Sequence, residues 1–201
     1  MVSDQAKKVY IIHGWDGAPD SDWYPWLKNE LEKKGFAVEV PAMPGSSEPK
    51  IDAWISQLKK CVGALDKNTN IIAHSIGCQA VMRFLEKETY RGKIGKVIFV
   101  AGWFKLDNLE GADVKAVAKP WLTKAIDGDN VRRKMSELTV FLSSNEPYGF
   151  VQENAEIFKK KLRAKVIIEK NKGHFSQDDG ITSVPEVLIE FLSSSKKEKS
   201  E

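Results

Sequence analysis

The chain has 201 residues, 42% of them hydrophobic, and a formal net charge of +3 from 31 basic and 28 acidic side chains. That make-up suits one globular domain with a single substantial core. The near-balance of charge argues against a nucleic-acid partner, and no apolar run is long enough to span a bilayer.

The opening segment, Met1 to Lys8, lacks the apolar core of a signal peptide. Val9 to Ile12 is the first of six short, apolar, β-prone runs, and it leads into a His13-Gly14-Trp15 turn. Asp22 to Lys34 places Trp23, Trp26, Leu27 and Leu31 on one helical face, with Ser21 able to cap its start and Gly35 able to end it. The second run, Phe36 to Val40, precedes helical spacing of Ile51, Trp54, Ile55, Leu58 and Val62. The third run, Asn70 to Ala73, is followed at once by a helical segment over Cys78 to Leu85. The fourth, Lys96 to Val100, opens the longest irregular stretch, Ala101 to Glu137, which ends in a helix near Asn130 to Ser136. The fifth run is Leu138 to Leu142. Val151, Ala155, Phe158 and Leu162 then mark a helix before the sixth run, Lys165 to Glu169. A last helix runs from about Val184 to Phe191, and residues 194–201 read as a polar tail.

Alternation of strands and helices predicts an α/β fold: a mostly parallel six-stranded sheet with helices on both faces. Ligands of such sheets bind at the carboxyl ends of the strands. The loops there hold His13-Gly14-Trp15, Ser75, Gly102-Trp103, Asn145-Glu146 and Gly173-His174. Two cysteines, Cys61 and Cys78, fall in predicted helices. They suggest buried thiols in a cytoplasmic protein rather than a disulfide framework. No metal-ligand spacing is present, and neither metal nor cofactor is expected.

Ala73-His74-Ser75-Ile76-Gly77 is a small-x-Ser-x-small sequence between a strand and a helix, the pattern of a nucleophile elbow. Small residues two places either side of the serine allow the tight turn to approach neighbouring backbone. The first amide of the following helix, Ile76, is left free for a reacting oxyanion, and Trp15 is the expected second donor. A serine hydroxyl needs a base. His74 is the serine's own neighbour and points away from it, and His13 more naturally shapes its loop. The chain order serine, acid, histidine then selects His174. Glu146 follows a strand between the two and is the chosen acid. Asp107, Asp127 and Asp129 are the alternatives, the last two flanking Gly128 as turn and cap residues. His13, Gly14, Trp103, Phe104 and Trp121 are expected to line the substrate pocket.

These residues resemble the α/β-hydrolase superfamily, and within it the small serine hydrolases of the retinoblastoma-binding protein 9 and YdeN-like type. The resemblance covers nearly the whole chain. It is carried by His13-Gly14, Trp23-Tyr24-Pro25-Trp26, Met43-Pro44, the elbow, Met82-Arg83, Lys119-Pro120-Trp121 and Gly173-His174-Phe175. It implies a compact hydrolase fold without a large lid and a triad falling on Ser75, Glu146 and His174. The acid of such proteins is usually an aspartate before proline, a place filled here by Glu146-Pro147. The implied substrate is a small acyl ester, with amides and thioesters as variants. A catalytically silent hydrolase fold that binds another protein is the competing reading.

Overall fold

The computed structural model describes residues 7–193; the polar tail expected at 194–201 lies outside them. Six strands form one sheet in the order β2-β1-β3-β4-β5-β6, and all neighbouring strands pair in parallel. They are β1 (Lys8–Ile12), β2 (Ala37–Glu39), β3 (Thr69–His74), β4 (Ile94–Val100), β5 (Met135–Ser143) and β6 (Lys165–Glu169). β3 is buried along its whole length, at the centre of a parallel sheet covered on both faces, with Ile71, Ile72 and Ala73 as its apolar middle.

Seven α-helices connect or follow the strands: α1 (Tyr24–Glu32), α2 (Ile51–Val62), α3 (Ile76–Lys87), α4 (Ala112–Thr123), α5 (Gly128–Arg133), α6 (Val151–Leu162) and α7 (Pro185–Leu192). Alternate residues of each strand face opposite sides. Val9 and Ile11 join Trp23 at the start of α1, Leu27 and Leu31 of α1, and Val187 and Phe191 of α7. Tyr10 and Ile12 join the face covered by α2, α3, α5 and α6. Each large apolar side chain removed from water this way contributes about 1.5–3 kcal/mol.

The chain leaves β1 for one edge of the sheet and returns through β3 on its other side. The loops after β1 and β3 therefore part at the switch in strand order, where parallel sheets open a crevice. His13-Gly14-Trp15 and Ser75 occupy those two loops.

Local differences from the sequence expectations have physical causes. The second strand is shorter than Phe36 to Val40, because it pairs only along Ala37–Glu39 at the sheet edge. Ser21 does not cap α1; its hydroxyl closes the preceding turn on Ala18, and the helix begins next to Pro25, which lacks the donor a cap would satisfy. The stretch 101–137 contains a full helix, α4. Its outer face is exposed, and Pro120 within it reads as a breaker. Buried Arg83 of α3 donates to the carbonyl oxygens of Trp121 and Lys124 at the end of α4, which stabilises a helix terminus the sequence leaves uncapped. α5 starts earlier than expected, with Asp127 accepting from the Asn130 amide as its cap, and Ser136 belongs to β5 instead.

Gly77 packs against the end of β1 so closely that a Cβ there would lie 2.6 Å from the His13 carbonyl oxygen and 2.8 Å from that of Ile12. Both are backbone atoms at the end of β1 and the turn that leaves it, and they cannot yield cheaply. Gly77→Ala is therefore expected to destabilise the fold by on the order of 1–3 kcal/mol, read as a lower urea midpoint at unchanged slope. An unchanged midpoint would contradict this contact.

Candidate active site

Ser75 sits between β3 and α3 with φ 52° and ψ −123°. A side chain held at positive φ costs on the order of 1–3 kcal/mol and persists only where its surroundings impose it. Here the Ser75 amide donates to the Val100 carbonyl oxygen at the end of β4, and the close Gly77 contact seats the new helix. The serine is 8% exposed, with its hydroxyl at the carboxyl edge of the sheet.

His174 lies on the loop after β6, its Nε2 2.7 Å from Ser75 Oγ. Its Nδ1 is 2.8 Å from Glu146 Oε1, on the loop after β5. An ionised carboxylate can only accept, so Nδ1 carries the ring proton. The bare Nε2 lone pair then faces the serine hydroxyl. The imidazole and carboxylate side chains are only 15% and 10% exposed, which shelters this pairing from water. Tyr148 stacks edge-on against the imidazole at 4.9 Å between centroids. Asp107 instead caps its own loop through the Asn108 amide, and Asp127 and Asp129 stand at the start of α5.

A second set of contacts holds the His174 loop. His74 is buried, and its Nε2–H donates to the His174 carbonyl oxygen at 2.8 Å. Its Nδ1 accepts from the Tyr24 hydroxyl at 2.7 Å, and that oxygen accepts from the Gly14 amide at 3.1 Å. Burial, then the neighbouring His174 ring, lower the pKa of His74 to about 3, so it stays neutral in this relay. Trp23 donates from its indole to the Phe175 carbonyl oxygen. Asp179 accepts from the His174 and Ser176 amides and the Ser176 hydroxyl. Burial would raise the Asp179 carboxyl, but these hydrogen bonds outweigh it and hold it below its ordinary value. Gly173 has φ +55°, and a Cβ there would collide with the Asp179 carboxylate. Asn145 and Ser143 accept from the Gly173 and Lys172 amides.

Tyr24, Trp23, Asp179 and the anchoring use of His74 were not found by sequence reasoning. Only Ser176-x-x-Asp179 carries a local signal, that of a capping box.

A cleft of about 780 Å³ opens above Ser75 and His174. Gly14, Trp15, Ile76 and Trp103 are among its lining residues. Three expected pocket residues do not. His13 is buried beneath its loop, donating from Nδ1 to the Gly14 carbonyl oxygen and accepting from the Met43 amide at Nε2. Phe104 packs on Phe158, and Trp121 packs on Trp54 with its indole donating to the Pro49 carbonyl oxygen. Large aromatic side chains near a rim are drawn into the core whenever a layer beneath can receive them. The far wall comes instead from the loop after β4 and from α4, through Leu106, Leu109, Val114 and Val117. Among the described residues, neither the Ile76 nor the Trp15 amide has a protein acceptor. No described helix is long and apolar enough to cross a membrane.

A sequence profile described as serine hydrolase matches residues 9–193. YdeN of Bacillus subtilis (strain 168) is 31% identical over 194 residues, spanning 93% of this chain and 97% of that protein. Serine hydrolase RBBP9 of Rattus norvegicus is 23% identical over 175 residues, spanning 86% and 89%. The crystal structure of the ydeN gene product from B. subtilis matches with a TM-score of 0.83 at 28% identity, covering 94% of this chain and 100% of that one.

The buried histidine makes stability depend on pH. Unfolded, His74 takes a proton near its ordinary 6.5; folded, it refuses one until about pH 3. Between those values the unfolded state binds the extra proton, so stability falls as pH drops. One such group contributes a loss of about 2 kcal/mol between about pH 7.5 and about pH 5. His13, lowered mainly by burial, adds in the same direction. Urea unfolding across that range is expected to show this loss, and His74→Gln is expected to flatten the profile by about one proton. Equal slopes in both proteins would contradict a neutral, buried His74.

Proposed function

This chain belongs to the serine hydrolase family, and we propose that it hydrolyses small acyl esters by passing the acyl group first to Ser75 and then to water. The observation that carries this reading is the unbroken line Ser75 Oγ, His174 Nε2, His174 Nδ1, Glu146 Oε1, with steps of 2.7 and 2.8 Å. Ser75 Oγ attacks the ester carbonyl carbon as its proton moves to His174 Nε2. Glu146 keeps the imidazole in the required tautomer and offsets the charge it gains. The carbonyl oxygen becomes an oxyanion and is met by the Ile76 and Trp15 amides, the two donors left without protein acceptors. The intermediate collapses, the alcohol departs with the proton from Nε2, and Ser75 holds the acyl group. Water then adds by the same route, giving up its proton to His174, and the carboxylic acid leaves as Ser75 recovers its hydrogen.

The cleft favours small and medium substrates. The wall formed by α4 and the loop before it is a short cap that cannot enclose a long lipid chain. Amides and thioesters could be processed by the same residues. A silent binding fold accounts poorly for a serine kept at positive φ with its hydroxyl on a sheltered imidazole, since binding alone needs neither.

A fluorophosphonate probe is expected to label the wild-type protein and to leave Ser75→Ala and His174→Ala unlabelled. Glu146→Gln is expected to cut turnover of short p-nitrophenyl esters by roughly 100- to 10,000-fold while retaining some labelling. Unchanged turnover in Glu146→Gln would move the acid's role to another carboxylate. Failure of the wild type both to label and to turn over these esters would favour the silent binding fold.

A further inference from the structure

We infer that the substrates of this cleft carry a positive charge, an ammonium or quaternary ammonium group, in the part that projects from the reacting carbonyl. This rests on the catalytic reading above and adds the charge of the substrate to it. Seven carboxylates line the cleft over Ser75, and no lysine or arginine does so among the described residues. The chain as a whole has the opposite bias, with 31 basic and 28 acidic side chains. The asymmetry is therefore local to the site.

The carboxylates come from four separate segments. Asp16 and Glu48 stand on one side, Glu110 and Asp113 at the start of the α4 cap, and Asp178 beside the His174 loop. None of these five is in an ion pair within the described residues. Some carboxylates elsewhere on the surface are paired with lysine, as in Lys33–Glu30 and Lys165–Glu190. Asp22 and Asp179, the remaining two, are tied into hydrogen bonds with Gln177 and with the His174 loop. The field reaches the middle of the cleft. The Tyr148 hydroxyl is pushed above its ordinary value, first by burial and then by Glu146, Asp179, Asp16 and Asp178.

A cleft lined by one sign of charge concentrates counter-charged ligands and repels like-charged ones. The aromatic side chains of Trp15, Trp103 and Tyr148 line the same cleft, and aromatic rings attract alkylammonium groups. The same field opposes polyanionic substrates. Among thioesters it disfavours those whose carrier bears phosphates.

The decisive comparison is between two esters of one shape: butyrylcholine and 3,3-dimethylbutyl butyrate, in which carbon replaces the charged nitrogen. With the purified full chain at low ionic strength, kcat/KM for the cation is expected to exceed that for the neutral isostere by on the order of ten-fold or more. The ratio should shrink as salt is added, because these carboxylates are exposed and screened. The butyrate ester of glycolic acid, an anion, should be poorer than the neutral ester and improve with salt. The double variant Glu110→Gln, Asp113→Asn should lower the cation-to-neutral ratio several-fold. A ratio near one that ignores salt, with Ser75-dependent hydrolysis of the neutral ester intact, would overturn this inference and leave the catalytic reading standing. No turnover of any of the three esters, with Ser75 unreactive to fluorophosphonate, would overturn both.

Discussion

The hydrogen bond from Ser75 Oγ to His174 Nε2 joins residues 99 positions apart, and most of the structure around it exists to keep it at 2.7 Å. One end is fixed by strain. Ser75 is held at positive φ because β3 is fully buried, α3 starts immediately, and Gly77 brings that helix against the carbonyl oxygens of β1. The unfavourable backbone is small beside the apolar surface buried by the strand and helix on either side of it. The other end is a loop with no regular structure of its own. It is fixed by hydrogen bonds to its backbone from His74, Trp23, Asn145, Ser143 and Asp179.

Histidine is used three times here, each time with its proton position set by a carbonyl or carboxylate partner that can only accept. His13 and His74 are pushed by burial toward the neutral form and serve as fixed links. His74 reaches the His174 loop on one side and, through Tyr24, the Gly14 turn on the other. The two loops that flank the reacting carbonyl in the proposed mechanism thus share one buried linkage. A buried polar chain of this kind holds its geometry well because each unmade bond would leave a polar group unsatisfied away from water.

The cap is built differently from the rest. α4 is largely exposed and buries only Ala118 and Trp121. Arg83 reaches from beneath to its last carbonyl oxygens, while Gln79 beside it holds the Trp103 carbonyl oxygen that shapes the neighbouring wall. The proposed catalytic centre therefore rests on the sheet, while the wall facing it, with unpaired Glu110 in the loop before α4 and Asp113 on its first turn, rests on a lightly anchored helix. In the proposed mechanism that division separates the chemistry, which needs rigid placement, from the choice of substrate, which can vary with the cap.

What the amino-acid order determined by itself is what depends on neighbours in the chain. The apolar periods specified six strands and most of the helices. The small residues around Ser75 specified a turn no larger side chain would fit. The succession of Ser75, Glu146-Pro147 and Gly173-His174 pointed to three loops at one edge of the sheet. What only the tertiary structure decided is what depends on partners distant in sequence. α4 was hidden because its end is stabilised by Arg83 of another helix, and His13, Phe104 and Trp121 were assigned to the cleft because nothing local shows that a buried layer receives them. Tyr24, Trp23 and the unpaired carboxylates gain their roles only once separate loops converge, since electrostatic fields and hydrogen bonds act through space rather than along the chain.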